Sequence, residues 1–382
     1  MAQAILALGL SAKALRAVAA LLFFSTDMSL NPDFSALRRL RIVALQRTCE
    51  AQPCARSIRD PVKRLIWSFL QPALVGYEAS ATTVAGGRGL GGGASQLRFP
   101  EGIALARDGS LLVADVGNHR VQRVPAGSCT GVTVAGGRGM GPAPDQLSSP
   151  RSVAVCPDGC LLVADATNGR VQRFEPGSTT GAIAAGADWR IPDAPNELRF
   201  PVDVAIAPDG EFFVADSQSG CVWRVGAERS LSVAASSSPG RDGATAMQLI
   251  HMPCAVVVAP DGGLFMAERM GHRVLRFAPG SPQGDIAAGG CGRGTAARQL
   301  DQPSALALRS DGALLVADAA NHRVQLFALG SEEGVTVAGT GVRGTGAEQL
   351  HGPAGVLLAP DGALLVSDSG NHRVQRFAAL HA

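Results

Sequence analysis

Residues 100–124 read PEGIALARDGSLLVADVGNHRVQRV, and the chain returns to this pattern again and again. The stretch opens on Pro100, turns at Asp108-Gly109, and closes a second apolar run on Asp115. Equivalent stretches open at Pro150, Pro201, Pro253, Pro303 and Pro353, about 50 residues apart. Each keeps the Asp-Gly pair: Asp158-Gly159, Asp209-Gly210, Asp261-Gly262, Asp311-Gly312 and Asp361-Gly362. Fifteen residues after each proline stands an acid: Asp115, Asp165, Asp216, Glu268, Asp318 and Asp368. A fixed period of this length marks an array of one supersecondary unit.

Within a unit the apolar runs are too short for helices and are separated by turn chemistry. The pattern predicts strands at 102–106, 111–115, 120–124 and 132–136. The Asp-Gly pair makes the first hairpin, with glycine supplying the positive φ. Four strands per unit, radially repeated, make a β-propeller blade. Fourth strands follow five of the six units, at 132–136, 182–186, 231–235, 285–289 and 335–339. The sixth unit ends at Arg376-Phe377-Ala378 without one, while an orphan copy, Thr82-Thr83-Val84-Ala85-Gly86, precedes the first unit. Pairing the orphan with the last unit removes two exposed sheet edges, which would otherwise invite aggregation. The expected fold is therefore all-β: a six-bladed β-propeller over residues 77–382, closed three-plus-one by an N-terminal strand.

Residues 1–76 are of another kind and predict a short helical N-terminal region. Asn31-Pro32-Asp33 and Asp60-Pro61 are helix-start signals, each followed by an apolar stripe at helical spacing. Residues 1–80 carry ten Lys/Arg against five Asp/Glu. Lys13 and Arg16 before the apolar run 17–24 have the look of a targeting leader, although no small-x-small cleavage site follows. A partner-docking segment is the other expectation. Uncharged runs of about 12 residues fall short of the roughly 20 a membrane-spanning helix needs, so no transmembrane segment is expected. The compartment is left open, with cytoplasm as the default.

Residues 81–382 carry 24 basic against 27 acidic residues, without the basic excess of a general nucleic-acid binder. The eight cysteines form no CxxC pair and no zinc-finger spacing. Cys156 and Cys160 flank the turn at Pro157-Asp158-Gly159 and are expected to face each other as small buried residues.

The Asn-His-Arg triplets at 118–120, 321–323 and 371–373, each after V-A-D or V-S-D, resemble the NHL repeat. The resemblance covers about 300 residues and all six units. Unit two reads Asn168-Gly169-Arg170, unit four Gly271-His272-Arg273, and unit three departs most, with Ser219-Gly220-Cys221. The family implies a propeller that presents a face to a protein or another ligand. Some relatives bind RNA. Animal relatives often carry a RING ahead of the propeller, but residues 1–76 offer only Cys49 and Cys54 toward its eight ligands. A ubiquitin-ligase association would therefore have to come through a partner.

Three sets of side chains invite a role. The first is a turn motif: Asp115, Asn118, His119 and Arg120, with Asp318, Asn321, His322, Arg323 and Asp368, Asn371, His372, Arg373. The acid and the arginine flank one hairpin turn, so a charge-assisted contact between them is structural, with asparagine supplying the left-handed residue. The second is an arginine in every interblade loop, Arg88, Arg138, Arg190, Arg241, Arg293 and Arg343, expected to ring one face as an anion-attracting surface or to be tied to nearby acids. The third is Asp203, the one charge among the small channel-lining residues Gly102, Ser152, Ala255, Ala305 and Gly355. Six-bladed amidating lyases place zinc ligands directly after the opening prolines. Here those positions hold Glu101, Arg151, Val202, Cys254, Ser304 and Ala354, none a histidine. His251 and His351, two residues ahead of their prolines, could reach the mouth but make a poor zinc pair. The expectation is a monomeric, non-catalytic recognition protein with no metal or cofactor, a metal-dependent hydrolase or lyase being the alternative.

Overall fold

The computed structural model describes residues 76–186, 198–226, 230–236, 250–281 and 283–380. The helical expectations for residues 1–75, and Arg190 and Arg241, lie outside them.

Six four-stranded antiparallel sheets follow one another. The inner strands are Pro100–Leu105, Pro150–Val155, Pro201–Ile206, Pro253–Val258, Pro303–Leu308 and Pro353–Leu358. They begin on the proline itself, two residues earlier than the alternation predicts. In the first blade Pro100 pairs with Asp115, and a bulge then separates it from Ile103, which pairs with Val113. The bulge breaks the alternation at the start of the strand and hides two paired residues from a period-two reading.

The strand Thr82–Gly86 completes the sixth blade. It pairs antiparallel with Arg373–Phe377, with Thr82 opposite Arg376, Thr83 opposite Gln375 and Ala85 opposite Val374. The Thr83 hydroxyl donates to Gln375 Oε1 at 2.8 Å. Before it, Tyr77 bridges Ala379 and the Leu380 amide donates to the Gly76 carbonyl. The ring is thus closed three-plus-one by the N-terminal strand.

Apolar layers lie between blades. Leu112 and Val121 of the first, with Leu147 of the connecting loop, meet Val153, Val163 and Phe174 of the second. At the closing seam Ala85, Leu97, Ile103 and Val113 pack with Leu365 and Val374 in the same way. A second strand such as Leu111–Asp115 is buried along its whole length, because a neighbouring blade covers each of its faces. That is why the motif LLVAD runs apolar without alternating. Near the axis the inner strands approach so closely that a side chain has no room at two positions. A Cβ on Gly355 would lie 2.3 Å from the Glu101 carbonyl oxygen, and one on Gly102 would lie 2.6 Å from Ser152 Cα. No helix among the described residues is long and apolar enough to cross a membrane.

Candidate functional site: the turn face and channel mouth

The loops entering each inner strand and the turns between second and third strands share one face. The acid motif organises it. Asp115 is fully buried; its Oδ1 accepts the Arg98 amide at 2.6 Å, and its Oδ2 accepts Asn118 Nδ2 and Arg120 Nε, both at 2.8 Å. Arg120 spends its remaining donors on the carbonyls of Gly92, Gly93 and Gln96, and Asn118 on that of Gly91. The acid therefore pins a turn, a third strand and an interblade loop at once. Asp165, Asp318 and Asp368 repeat the arrangement with Arg170, Arg323 and Arg373, and Glu268 pairs with Arg273.

The left-handed residue in this turn is the histidine, not the asparagine. Val116–Asn118 forms a 3-10 turn and His119 follows it at φ 54°, ψ 45°. Asparagine is held inside the turn by the hydrogen bond its side-chain amide donates to the acid, so the reversal falls one residue later. The same placement recurs at His322 and His372, with Gly169 taking it in the second blade.

That conformation points the imidazole at the next blade. His119 Nδ1 accepts the Ser149 amide at 3.1 Å, His272 the Gln302 amide at 3.1 Å, and His322 the Gly352 amide at 3.2 Å. His372 accepts the Phe99 amide at 3.2 Å and so staples the last blade to the first. The acceptor role requires a neutral ring. Burial, and then the neighbouring His351, hold His322 and His372 below the ordinary histidine range. Depressed values mean the unfolded chain takes up protons first. Their contribution to stability is complete above the unfolded pKa of about 6.5 and is lost as pH falls from there through the lowered folded values. Melting temperature should decline between about pH 6.5 and 5, before carboxylates titrate, and His372→Gln should flatten that slope. An unchanged slope in the variant would remove the staple from the account.

The third blade replaces the motif. Cys221 stands where arginine belongs, and Gly169 of the preceding blade offers no imidazole. Asp216 answers by accepting backbone amides: Arg199 at 2.7 Å and Phe200 at 2.9 Å. Phe200 thus turns to its own blade's acid, and its ring lies under the Arg151 guanidinium, 5.5 Å from the carbon at its centre.

The interblade arginines do not occupy one ring of equivalent positions. Gln96 bonds the Arg88 carbonyl and Gln146 that of Arg138, whereas Gln299 bonds that of Cys291. Arg293 bridges Leu300 as Met140 bridges Leu147, two residues further along the loop. Arg343 follows Arg293, since Gly344 donates to Leu350 as Gly294 does to Leu300. The loop reads GGRG at 86–89 and 136–139 but GxxxR at 289–293 and 339–343, so arginines that look alike in the sequence stand two positions apart. Arg138 pairs with Asp145 at 3.4 Å and Arg293 with Asp301 at 2.9 Å, while Arg88 and Arg343 are exposed and make no ion pair among the described residues.

At the axis lies a cavity of about 490 Å³. Glu101 and Arg151 stand at its mouth, paired through Arg151 Nη1 at 2.8 and 3.0 Å to the two carboxylate oxygens. Asp203, the one charge the sequence places among the channel-lining residues and a candidate ligand contact, is tied into the wall. It accepts the Ser152 hydroxyl at 2.7 Å and the amides of Val204 and Val256 at 2.9 and 2.8 Å. Burial raises its pKa against those hydrogen bonds. Cys254 and Ser304 donate to the Pro303 and Pro353 carbonyls of the next blade at 2.9 and 2.7 Å. The positions that hold zinc ligands in the lyases therefore hold an ion pair and two interblade ties. His251 and His351 do not line this cavity; His351 packs edge-on against His322 with ring centres 5.9 Å apart. Among the described residues no three His, Cys, Asp or Glu side chains gather as a metal cradle. Arg269 was missed from the sequence. It directly follows Glu268, where the other blades carry Val116, Ala166, Ser217, Ala319 and Ser369, and that asymmetry was its only signal. At the opposite face, Cys156 and Cys160 are buried free thiols joined by backbone hydrogen bonding, and the Cys160 thiol is pushed up to about 12, chiefly by burial.

The architecture is that of a six-bladed β-propeller, with NHL repeats in four of its blades. The NHL repeat model matches at residues 97–124, 147–174, 198–225 and 350–377, and the remaining blades carry the same turn motif in structure. No curated protein sequence matches the chain. Among solved structures, an auxiliary nutrient binding protein from Bacteroides thetaiotaomicron is similar at 13% identity and TM-score 0.57, covering 75% of this chain and 70% of that one. A gluconolactonase from Xanthomonas campestris is similar at 14% identity and TM-score 0.54, covering 75% and 88%. A structural genomics protein of unknown function from Bacteroides thetaiotaomicron reaches TM-score 0.60 at 14% identity, covering 79% and 76%. At these identities the likeness is one of fold.

Proposed function

We propose that this protein is a recognition module whose turn face receives a protein partner through an acidic segment. One observation carries the reading: the sixfold-repeated side chains are consumed by the scaffold, whereas the face keeps cations and apolar groups that the scaffold does not use. Arg88 and Arg343 are exposed without an ion pair among the described residues, and Phe99, Met140, Met252 and Met270 are exposed beside the loops and turns. Exposed methionines and aromatics rimmed by arginine suit a binding surface. RNA is the less favoured partner, because the repeat region is slightly acidic and the face offers few rings for stacking. The nutrient-binding neighbour is an instance of this fold in a binding role.

Acidic peptides and single-stranded RNA titrated into the full chain, with and without Arg88→Glu and Arg343→Glu together, test the proposal. Peptide affinity should fall at least tenfold in the double variant and weaken with salt. Equal affinity in the double variant would contradict the reading. Stoichiometric zinc or calcium in the purified protein, with turnover lost on chelation, would favour the hydrolase or lyase alternative instead.

A further inference from the structure

The channel mouth departs from sixfold symmetry in one sector, and there the side chains assemble a pocket for a small anion. Arg269, from the fourth blade, lines the cavity and is only partly exposed. No carboxylate pairs with it among the described residues. Its near neighbour is the Cys254 thiol, which burial pushes up to about 12, so no thiolate neutralises it. Across the third blade stands Arg151. Glu101 accepts from Arg151 Nη1 with both carboxylate oxygens, while Arg151 Nε is buried without a partner. Phe200 and Met252 line the same cavity and give it an apolar wall. Deeper in, Asp203 has its oxygens engaged by three donors and leaves the mouth's charge to the two arginines and Glu101. The cavity, at about 490 Å³, falls in the range of small-molecule sites.

We propose that the mouth binds a small organic carboxylate with an apolar or aromatic body. The carboxylate lies on Arg269, with the Arg151 side adding positive potential, and the body lies between Phe200 and Met252. A planar guanidinium matches a carboxylate in two parallel hydrogen bonds, and its lack of a counter-charge in a half-buried site is what such a ligand relieves. This site is separate from Arg88 and Arg343, so the inference and the proposed partner-binding role can fail independently.

Ligand-observed NMR of the full chain with phenylacetate as probe and phenylacetamide as the uncharged control tests it. Phenylacetate should bind and phenylacetamide should not. Arg269→Gln should weaken phenylacetate at least tenfold, Arg269→Lys less, and Phe200→Leu should also weaken it, while Arg88→Glu with Arg343→Glu should leave it unchanged. Circular dichroism melting checks that each variant stays folded. Absence of phenylacetate binding at millimolar concentration, equal binding of the amide, or indifference to Arg269→Gln in a folded variant would each overturn the proposal. An acidic peptide that still binds in an Arg88- and Arg343-dependent way would then leave the partner-binding role standing.

Discussion

Asp165→Asn should destabilise the protein by about 3–5 kcal/mol, the cost of leaving a buried cation without its counter-charge. Asp165 is fully buried, and Arg170, which donates Nε to it at 2.8 Å, has a side chain only 5% exposed. The carboxylate also accepts the Ser148 amide at 2.6 Å and Asn168 Nδ2 at 2.8 Å. An amide keeps one acceptor, turns its other end into a donor facing donors, and withdraws the charge. For a domain of this size each kcal/mol moves the melting temperature by about 2 °C, so a fall of about 6–10 °C is expected. The third blade supplies an internal comparison. Asp216 receives backbone amides and stands opposite Cys221 in place of an arginine, so Asp216→Asn strands no cation. Its cost should be about 1–3 kcal/mol, that of poorly satisfied amides. Equal losses in the two variants would show that the acid acts through its backbone contacts alone, and that the arginine is dispensable.

The second large effect is expected at the closing seam. Ala85 sits in the N-terminal strand, almost wholly buried against the last blade. Ala85→Asp would put a carboxylate into that apolar layer with no cation to meet it, at a cost of about 3–5 kcal/mol. Losing the strand also bares the edge of Arg373–Phe377, an invitation to sheet-to-sheet association. A lowered melting temperature together with higher-order species in size-exclusion chromatography is therefore predicted. Thr82→Asp, exposed on the same strand, should change stability by no more than about 0.5 kcal/mol. If Ala85→Asp melts like the parent chain, the seam is not part of the core.

Architecture was legible because a propeller is written redundantly. Six prolines, six Asp-Gly turns and six acids state the blade, and the count of fourth strands states the closure. The turn motif was legible for the same reason, as the contact of Asp115 with Arg120 follows from their flanking one hairpin. What stayed hidden is what repetition does not encode. The histidine staple depends on where the left-handed residue falls within a three-residue turn, a one-residue distinction that asparagine's general tolerance for that conformation obscures. The arginine loops share a composition but not a hydrogen-bond register, which the contacts of Gln96, Gln146 and Gln299 set. Asp203 reads as a lone charge in the channel open to a ligand, yet three blades close around it and engage its oxygens. Arg269 carries no motif at all and becomes visible only when the cavity it lines is seen.

Ring closure by the N-terminal strand is the claim on which the seam, the His372 staple and the shape of the channel mouth all depend. Its most direct measurement is a cross-link. Thr82 and Arg376 face each other in the register, and directly paired antiparallel residues lie within disulfide reach. Thr82→Cys with Arg376→Cys, oxidised and mapped by peptide mass spectrometry, should give an intramolecular 82–376 disulfide in a monomer that melts higher than its reduced form. Failure of that link to form, or its appearance only between molecules, would contradict the closed six-bladed ring.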